Sequence, residues 1–177
     1  VFLVCAIGYS TYKSNLRQNA RQQNIRQENI DSRSDQNSIP GFVKTEILLP
    51  EFSLPDLYNK EGSFSKKDLL GKYSLINLFA SWCTTCHAEH NILLRLKEKL
   101  KYEDNINIYG VAWRDISQNT RKYLEKSGNP YVKVASDNKA LFTKLVGVKA
   151  VPETLIIDPQ GKVILRYSGN LQEFMKP

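Results

Sequence analysis

Two cysteines separated by only two residues, Cys83 and Cys86, follow a long apolar stretch of the 177-residue chain. The stretch Tyr73–Phe79 has the nearly continuous apolar character of a strand that is buried on both faces. From Thr84 onward, apolar residues recur at three- and four-residue spacings, which predicts an amphipathic helix. The sequence therefore predicts a buried strand, a tight turn that carries a dithiol, and a helix that begins at the dithiol.

In the rest of the chain, predicted strands and helices alternate and then give way to an antiparallel pair of strands. The turn sequence Asp-Pro-Gln-Gly at residues 158–161 predicts the hairpin between that pair. This order predicts an α/β fold with a central mixed sheet and helices on both faces. The further predicted strands are residues 106–113, 131–135, 153–157 and 162–167, and the further predicted helices are residues 117–126 and 138–146.

The chain divides by composition into three parts. Residues 1–9 are almost wholly apolar. Because about 20 apolar residues are needed to cross a bilayer and the chain begins without Met, we interpret these nine as part of a membrane anchor; the alternative is the end of a signal peptide. Residues 10–40 hold too few large apolar side chains to offset the entropy of ordering, so we predict a flexible polar linker. Residues 41–177 form the predicted α/β domain.

The formal net charge of +7 does not by itself indicate a nucleic-acid-binding protein. Basic residues of the predicted domain are scattered among acidic ones, which favours a solvated surface of mixed charge over a basic patch. The five basic residues of the predicted linker would alone favour a cytoplasmic position. We therefore expect no nucleic-acid partner. The linker charge conflicts with an exported domain, and residues preceding Val1 could outweigh that charge.

The two cysteines of the turn form a candidate redox site. A thiol with an unperturbed pKa of about 8.5 supplies little of the reactive thiolate at neutral pH. At the start of the predicted helix, Cys83 would face unpaired backbone N–H groups and the positive end of the helix dipole, which favour the thiolate. Cys86, one turn further on, would attack a mixed disulfide on Cys83 and release the substrate. We therefore predict that Cys83 is the nucleophile and Cys86 the resolving thiol.

A zinc site is an alternative for such a cysteine pair. The sequence holds no second cysteine pair or separate histidine pair to complete four ligands. No metal and no cofactor are therefore predicted.

Residues 83–87 also spell C-x-x-C-H, the pattern to which c-type haem is attached. On that hypothesis His87 would be the axial ligand of the haem iron. The second axial ligand would have to be Met175 or His90, and neither position suits that role. Haem would also need an apolar cavity where the pattern places a sheet edge and a long helix. We therefore favour thiol exchange over a haem-binding electron carrier. The role of His87 stays open between a solvent-facing residue and a cation near the Cys83 thiolate.

A second motif, Val151-Pro152-Glu153, stands at the entrance of a predicted strand far along the chain. A proline at such a position is a candidate for a cis peptide bond. A cis bond there would expose backbone groups beside the dithiol, where an extended substrate could pair with them. Together with the dithiol, this motif makes Pro152 a candidate site residue.

These features together resemble the thioredoxin fold and, more narrowly, the DsbE/CcmG family of membrane-anchored proteins of cytochrome c maturation. The resemblance covers roughly residues 48–171. It is specific, because the motifs Gly-Asn-Pro-Tyr and Pro-Glu-Thr are not general features of thioredoxins. The residues that carry it are Gly71-Lys72 and residues 77–83, 88–90, 109–111, 128–131, 147–154, 157–161 and 169–171.

The resemblance implies a role for each candidate site residue. Cys83 and Cys86 match the active-site cysteines of the family. Pro152 matches its cis-proline and Glu153 its active-site acid. Glu89 matches an acidic position that the family carries in the helix after the dithiol, so Glu89 and Glu153 are candidates for proton transfer. The alternative for both carboxyl groups is an ordinary surface or helix-capping charge.

Three positions depart from the pattern of the thioredoxin fold. Thr84 stands where a proline is usual, which leaves the reduction potential open. Asn91 replaces a common helix-kinking proline. Asn77 holds the position of the buried aspartate of thioredoxin, as is usual in this branch, so proton transfer must come from another residue.

The resemblance also implies a periplasmic catalytic domain on a single inner-membrane anchor. It implies a reductant that keeps the cysteines of apocytochrome c reduced before haem attachment. The expected partners are apocytochrome c or a cytochrome c maturation protein, together with a membrane thiol electron donor, and the protein is expected to be a monomer. A general extracytoplasmic thiol reductase of the TlpA or ResA type is the alternative within the same chemistry.

Overall fold

The computed structural model describes residues 41–174, and the predictions for residues 1–40 lie outside this part. The strands are β1 (Val43–Leu48), β2 (Ser53–Pro55), β3 (Ser63–Ser65), β4 (Tyr73–Phe79), β5 (Ile106–Trp113), β6 (Lys133–Asp137), β7 (Glu153–Ile157) and β8 (Lys162–Ser168). The helices are α1 (Thr84–Lys99), α2 (Ser117–Ser127), α3 (Leu141–Leu145) and α4 (Leu171–Phe174), and a 3-10 turn spans Lys66–Leu69. Within the described residues, no helix combines the length and the apolar character that a membrane span requires.

Six of these strands form one mixed sheet in the order β1-β8-β7-β4-β5-β6. The central strand β4 pairs parallel with β5 and antiparallel with β7. β6 continues the parallel side, whereas β7 and β8 form an antiparallel hairpin that β1 extends at the edge. β2 and β3 form a separate two-stranded hairpin. The predicted α/β fold with a central mixed sheet is confirmed.

Side chains of β4 alternate between two buried clusters. Ile76 and Leu78 pack in a cluster that includes residues of α3, whereas Leu75 and Phe79 pack in a cluster with residues of α1 and α2. Successive side chains of a strand point to opposite faces, so a strand covered on both faces must be apolar at nearly every position. Each large apolar side chain buried in this way contributes roughly 1.5–3 kcal/mol. This packing explains the apolar run before the dithiol.

Two predicted elements begin later than the sequence pattern indicates. The strand predicted from residue 131 begins two residues later because Asn129 Oδ1 accepts a hydrogen bond of 3.0 Å from Tyr131 N, which holds that residue in a turn. The helix predicted from residue 138 begins at α3 because the carboxylate of Asp137 accepts hydrogen bonds from the backbone N–H groups of residues 141–143. In both cases a side-chain oxygen captures backbone donors next to the element.

Sequence periodicity does not predict the edge strand β1. Most of its residues are exposed, so it has neither an apolar run nor a regular alternation. Its pairing with β8 is irregular between Lys44 and Ile47. The strand exists because β8 offers unpaired backbone groups at the edge of the sheet, and the local sequence does not reveal that.

Gly110 in β5 faces the ring of Tyr131, and a Cβ atom at this position would lie 2.7 Å from Tyr131 Cδ2. The ring is buried and stacked on Phe79, with 5.1 Å between centroids, so it has little room to move. We expect Gly110→Ala to lower the free energy of unfolding by about 2 kcal/mol, measured by urea denaturation.

Gly147→Ala is the matched control for this substitution. At Gly147 the backbone φ is +71° but no heavy atom lies within 4 Å of the added Cβ, so only backbone strain of about 1 kcal/mol is expected. An equal loss of stability in both variants would contradict the packing argument for Gly110.

Candidate active site

Cys83 and Cys86 lie at the N-terminus of α1, as the sequence predicts, and are joined by a disulfide bond. Cys83 is the N-cap residue, and its Sγ accepts a hydrogen bond of 3.1 Å from Cys86 N. In the reduced protein the same N–H and the positive end of the helix dipole favour a thiolate on Cys83. Cys83 is 7% exposed and Cys86 is 2% exposed, so Cys83 is the better placed of the two to meet a substrate.

The Val151–Pro152 peptide bond is cis, which confirms the sequence prediction. Val151 O lies 3.7 Å from Cys83 Sγ, so the loop before β7 lies against the dithiol. Pro152 O accepts a hydrogen bond of 3.0 Å from Gly169 N, which joins this loop to the end of β8. The fold therefore brings Pro152 and the dithiol together from distant parts of the chain.

Glu153 is buried at the start of β7, and its Oε1 lies 2.5 Å from Nε of Arg166 on β8. Burial raises the pKa of the Glu153 carboxyl, whereas the Arg166 guanidinium acts in the opposite direction. Glu153 is therefore not an ordinary surface charge. Sequence reasoning did not identify Arg166. The available signal was the hairpin register, in which Glu153 is opposite Ser168 and Arg166 is its diagonal neighbour.

Replacing Arg166 by methionine would leave the Glu153 carboxylate buried without its cation. We expect Arg166→Met to lower the free energy of unfolding at pH 7 by about 2–3 kcal/mol, because breaking a buried pair costs about 3–5 kcal/mol and the Arg166 side chain is 23% exposed. Loss of the cation raises the pKa of Glu153 in the folded variant further. The destabilisation relative to the wild type should therefore shrink as the pH falls below that pKa and the carboxyl becomes neutral. Urea denaturation at pH 7 and at mildly acidic pH measures both effects.

The control for this prediction is Arg166→Lys, which keeps a cation on the same strand. We expect this variant to retain most of the stability at pH 7. A loss in Arg166→Met that does not change with pH would show that packing, and not the charge of Glu153, is responsible.

Glu89 is fully buried in α1, one turn after Cys86. Its Oε1 accepts a hydrogen bond of 2.8 Å from Asn77 Nδ2, and its Oε2 accepts one of 2.9 Å from Leu171 N. Burial raises the pKa of the Glu89 carboxyl, and these two hydrogen bonds act in the opposite direction. Glu89 is therefore not a surface charge. A carboxyl with a raised pKa one turn from a cysteine has the chemistry of a proton acceptor.

Asn77 joins Glu89 to two other strand regions. Its Nδ2 donates to Thr154 Oγ1 at 3.3 Å, and its Oδ1 accepts a hydrogen bond of 2.8 Å from Tyr131 OH. Burial raises the pKa of Tyr131 well above its usual value, so the hydroxyl stays a donor. Sequence reasoning did not connect Tyr131 and Thr154 with the site. The signal was present, because they are the last residues of the two distinctive motifs, Gly-Asn-Pro-Tyr and Pro-Glu-Thr.

His87 contacts the segment that precedes the dithiol. Its Nε2 lies 2.8 Å from Ser81 O, and its ring stacks on Tyr123 with 4.6 Å between centroids. The imidazole is therefore engaged in contacts, although the residue is exposed. These contacts do not support the haem hypothesis, because Nε2 has a backbone partner and the two cysteine sulfurs are bonded to each other.

Asp115, which sequence reasoning missed, lies two residues beyond the end of β5. This residue is 4% exposed, and Oδ2 of its carboxylate accepts hydrogen bonds from Ser81 N at 2.7 Å and Thr120 Oγ1 at 2.8 Å. Its Oδ1 accepts a hydrogen bond of 2.9 Å from Ser81 Oγ. The only signal in the sequence is its position after a parallel strand, at the same edge of the sheet as the dithiol.

A groove of about 400 Å³ opens beside the dithiol. It extends from Thr85 in the first turn of α1 to Pro152 and to the end of β8. Its lining includes Lys149 and the ion pair of Arg166 with Glu153. A groove of this size next to the cis-proline loop can receive an extended peptide segment.

Comparisons with known proteins agree with this geometry. The family described as Redoxin matches residues 44–176. The chain is 34% identical over 125 residues to the thiol:disulfide interchange protein DsbE of Haemophilus influenzae, an alignment that covers 71% of this chain and 66% of that protein. It is 37% identical over 142 residues to the thiol:disulfide interchange protein HelX of Rhodobacter capsulatus, covering 80% of this chain and 77% of that one.

A solved structure supports the fold. The crystal structure of a secreted thiol-disulfide isomerase from Corynebacterium glutamicum is similar, with a TM-score of 0.65 and 18% identity over 74% of this chain and 84% of that one. At this identity the likeness concerns the fold alone. Together with the matched family, it confirms the predicted thioredoxin-like fold.

Proposed function

The chain belongs to the Redoxin family, in its DsbE/CcmG branch of thiol:disulfide interchange proteins, and we propose that it reduces the cysteines of apocytochrome c before haem attachment. Its chemistry is that of a thiol-disulfide oxidoreductase. The observation that carries the proposal is the position of Cys83, which caps α1 and has its Sγ 3.7 Å from Val151 O. A substrate strand laid along the cis-proline loop would bring its disulfide to this sulfur.

The proposed reaction is a two-electron exchange. The Cys83 thiolate attacks one sulfur of the substrate disulfide, that S–S bond breaks, and the departing thiolate takes a proton. A mixed disulfide now joins Cys83 to the substrate. Cys86 loses its proton and attacks Cys83 Sγ, which releases the second substrate thiol and leaves the Cys83–Cys86 disulfide. A membrane thiol electron donor then reduces this disulfide and returns the protein to its starting state.

Proton transfer is assigned to the two buried carboxyl groups. Glu89 lies one turn beyond Cys86 in α1, and burial raises its pKa, so it is suited to take the Cys86 proton during resolution. Glu153 follows Pro152 directly and lies beside the groove that would receive the substrate. We assign Glu153, whose carboxylate pairs with Arg166, to relaying to the first departing thiolate the proton that this thiolate takes up from solvent.

The proposed setting is the periplasm, with the catalytic domain attached by a single anchor to the inner membrane. The apolar residues 1–9 and the resemblance to membrane-anchored proteins support it. The partners are apocytochrome c or another cytochrome c maturation protein, and the protein acts as a monomer without nucleic acid. Fractionation of cells that make the full chain tests this setting: recovery of the protein in the cytoplasmic fraction would contradict it.

The test of the substrate is reduction of a synthetic peptide with an intramolecular C-x-x-C-H disulfide. A peptide with Ala in place of the His is the matched control, and insulin is a general substrate. We expect the reduced protein to react with the C-x-x-C-H peptide about tenfold faster or more than with either comparison. Equal rates on all three would favour a general thiol reductase of the TlpA or ResA type. A Soret band in the purified protein would instead favour the haem-binding alternative.

A further inference from the structure

We propose that Asp115 is a positioning residue, whose buried carboxylate holds residues 81–82 so that Cys83 stays at the N-terminus of α1. Asp115 does not touch a cysteine, and it acts through the loop that carries Cys83. The proposal rests on thiol exchange at Cys83 and does not depend on which protein disulfide is the substrate.

Ser81, two residues before Cys83, has every polar group engaged. Its N and Oγ donate to the Asp115 carboxylate, and its O lies 2.8 Å from His87 Nε2. The next residue, Trp82, donates from Nε1 to Arg114 O at 3.2 Å. Two neighbouring residues after β5 therefore bind both residues that precede Cys83.

The carboxylate that holds this loop is itself fixed by the scaffold. Thr120 in α2 donates to Asp115 Oδ2. Arg114, directly before it, has a left-handed backbone with φ of +46°, and its N donates to Asp137 O of β6 at 3.3 Å. Left-handed backbone is unfavourable for a residue with a Cβ, so the surrounding contacts must hold it there. The acceptor for Ser81 is therefore preorganised, as a supporting group for a reactive residue needs to be.

Asp115 could influence Cys83 by holding its loop in place or through its own negative charge, and the two effects predict opposite changes in the pKa of Cys83 when Asp115 is replaced. If Asp115 keeps Cys83 at the N-cap, its loss withdraws the Cys83 thiolate from Cys86 N–H and the helix dipole, and the pKa of Cys83 rises. If the negative charge were the main influence, its loss would lower the pKa of Cys83. The other titratable or charged groups around the dithiol stay unchanged in the test; they are His87 and Glu89 of α1, Glu153 of β7, Arg166 of β8, Arg114 and Lys149.

The experiment measures the pH dependence of Cys83 alkylation by iodoacetamide in the reduced protein, followed by peptide mass spectrometry. We expect Asp115→Ala to move the midpoint of alkylation upward by about half a pH unit or more and to slow exchange with oxidised glutathione at pH 7. Ser81→Ala keeps the charge of Asp115 but removes one of its hydrogen bonds. Ser81→Ala should shift the alkylation midpoint upward as well, but by less than Asp115→Ala. If Asp115→Ala fails to fold, the Ser81→Ala variant alone tests the proposal.

The matched control is Asp137→Asn. Asp137 is 1% exposed at the end of β6, and its carboxylate binds the first turn of α3 instead of the dithiol loop. This variant should lose stability without any change in the alkylation midpoint. A midpoint that stays constant or falls in Asp115→Ala and Ser81→Ala, with both folded by circular dichroism, overturns the proposal. Because iodoacetamide replaces the protein substrate, that outcome would leave the proposed reduction of apocytochrome c standing.

Discussion

Cys83→Ser is expected to slow disulfide exchange by about three orders of magnitude or more, because the substitution removes the attacking thiolate. Cys86→Ser is expected to leave the attack intact and to stop the reaction at the mixed disulfide. The two cysteines differ in this way because Cys83 caps α1 and is the more exposed of the two, whereas Cys86 lies in the first turn of the helix and is more deeply buried. Mass spectrometry under non-reducing conditions, after reaction with an oxidised C-x-x-C-H peptide, measures the trapped adduct.

The third cysteine supplies the control for both variants. Cys5→Ser should change neither the rate nor the adduct, because this residue lies outside the predicted catalytic domain. Dithiothreitol should release the adduct of Cys86→Ser, since a mixed disulfide is reducible. Equal residual turnover in Cys83→Ser and Cys86→Ser would contradict the assigned roles. The same Cys86→Ser chain, made in cells, should capture the natural partner as a covalent complex for identification.

The features that the sequence predicts best are those that depend on local pattern. The strand Tyr73–Phe79, the dithiol turn and the helix after it follow from apolar spacing and from the chemistry of a helix N-terminus. Pro152 was also expected beside Cys83, from its place at the entrance of a predicted strand and from the resemblance to a known family. No pattern within either segment says that they meet.

The supporting contacts of the site could not be predicted in the same way. Asp115 and Arg166 are ordinary charged residues in the sequence, and their importance arises from pairs made across the sheet and its edge. Such pairs depend on strand order and register, which local pattern does not specify. Asn77 was placed correctly in a buried strand, yet its partners come from α1, from β7 and from the turn before β6. Long-range polar networks are therefore the part of this site that a single sequence conceals.

Asn77→Leu is expected to lower the free energy of unfolding by about 3–5 kcal/mol, because it removes a hydrogen bond to a buried carboxyl group and leaves a buried hydroxyl without its acceptor, each loss costing roughly 1–3 kcal/mol. The side chain of leucine has a similar volume, so the cost comes from polar groups and not from a cavity. Without the amide, the carboxylate of Glu89 keeps only Leu171 N as a described partner, and Tyr131 OH loses its acceptor. Both are buried, and an unsatisfied buried group costs its full desolvation free energy. Urea denaturation at pH 7 measures the loss.

Two further variants separate the contributions within this network. Tyr131→Phe removes only the hydrogen bond to Asn77 Oδ1 and should cost about 1 kcal/mol. The double variant Asn77→Leu with Glu89→Leu should be less destabilised than the sum of the two single variants, because no buried carboxylate is left without its partner. Additive losses would mean that Asn77 and Glu89 do not act as a pair. In Asn77→Leu alone the pKa of Glu89 should rise further, so the resolving attack by Cys86 should require a higher pH than in the wild type.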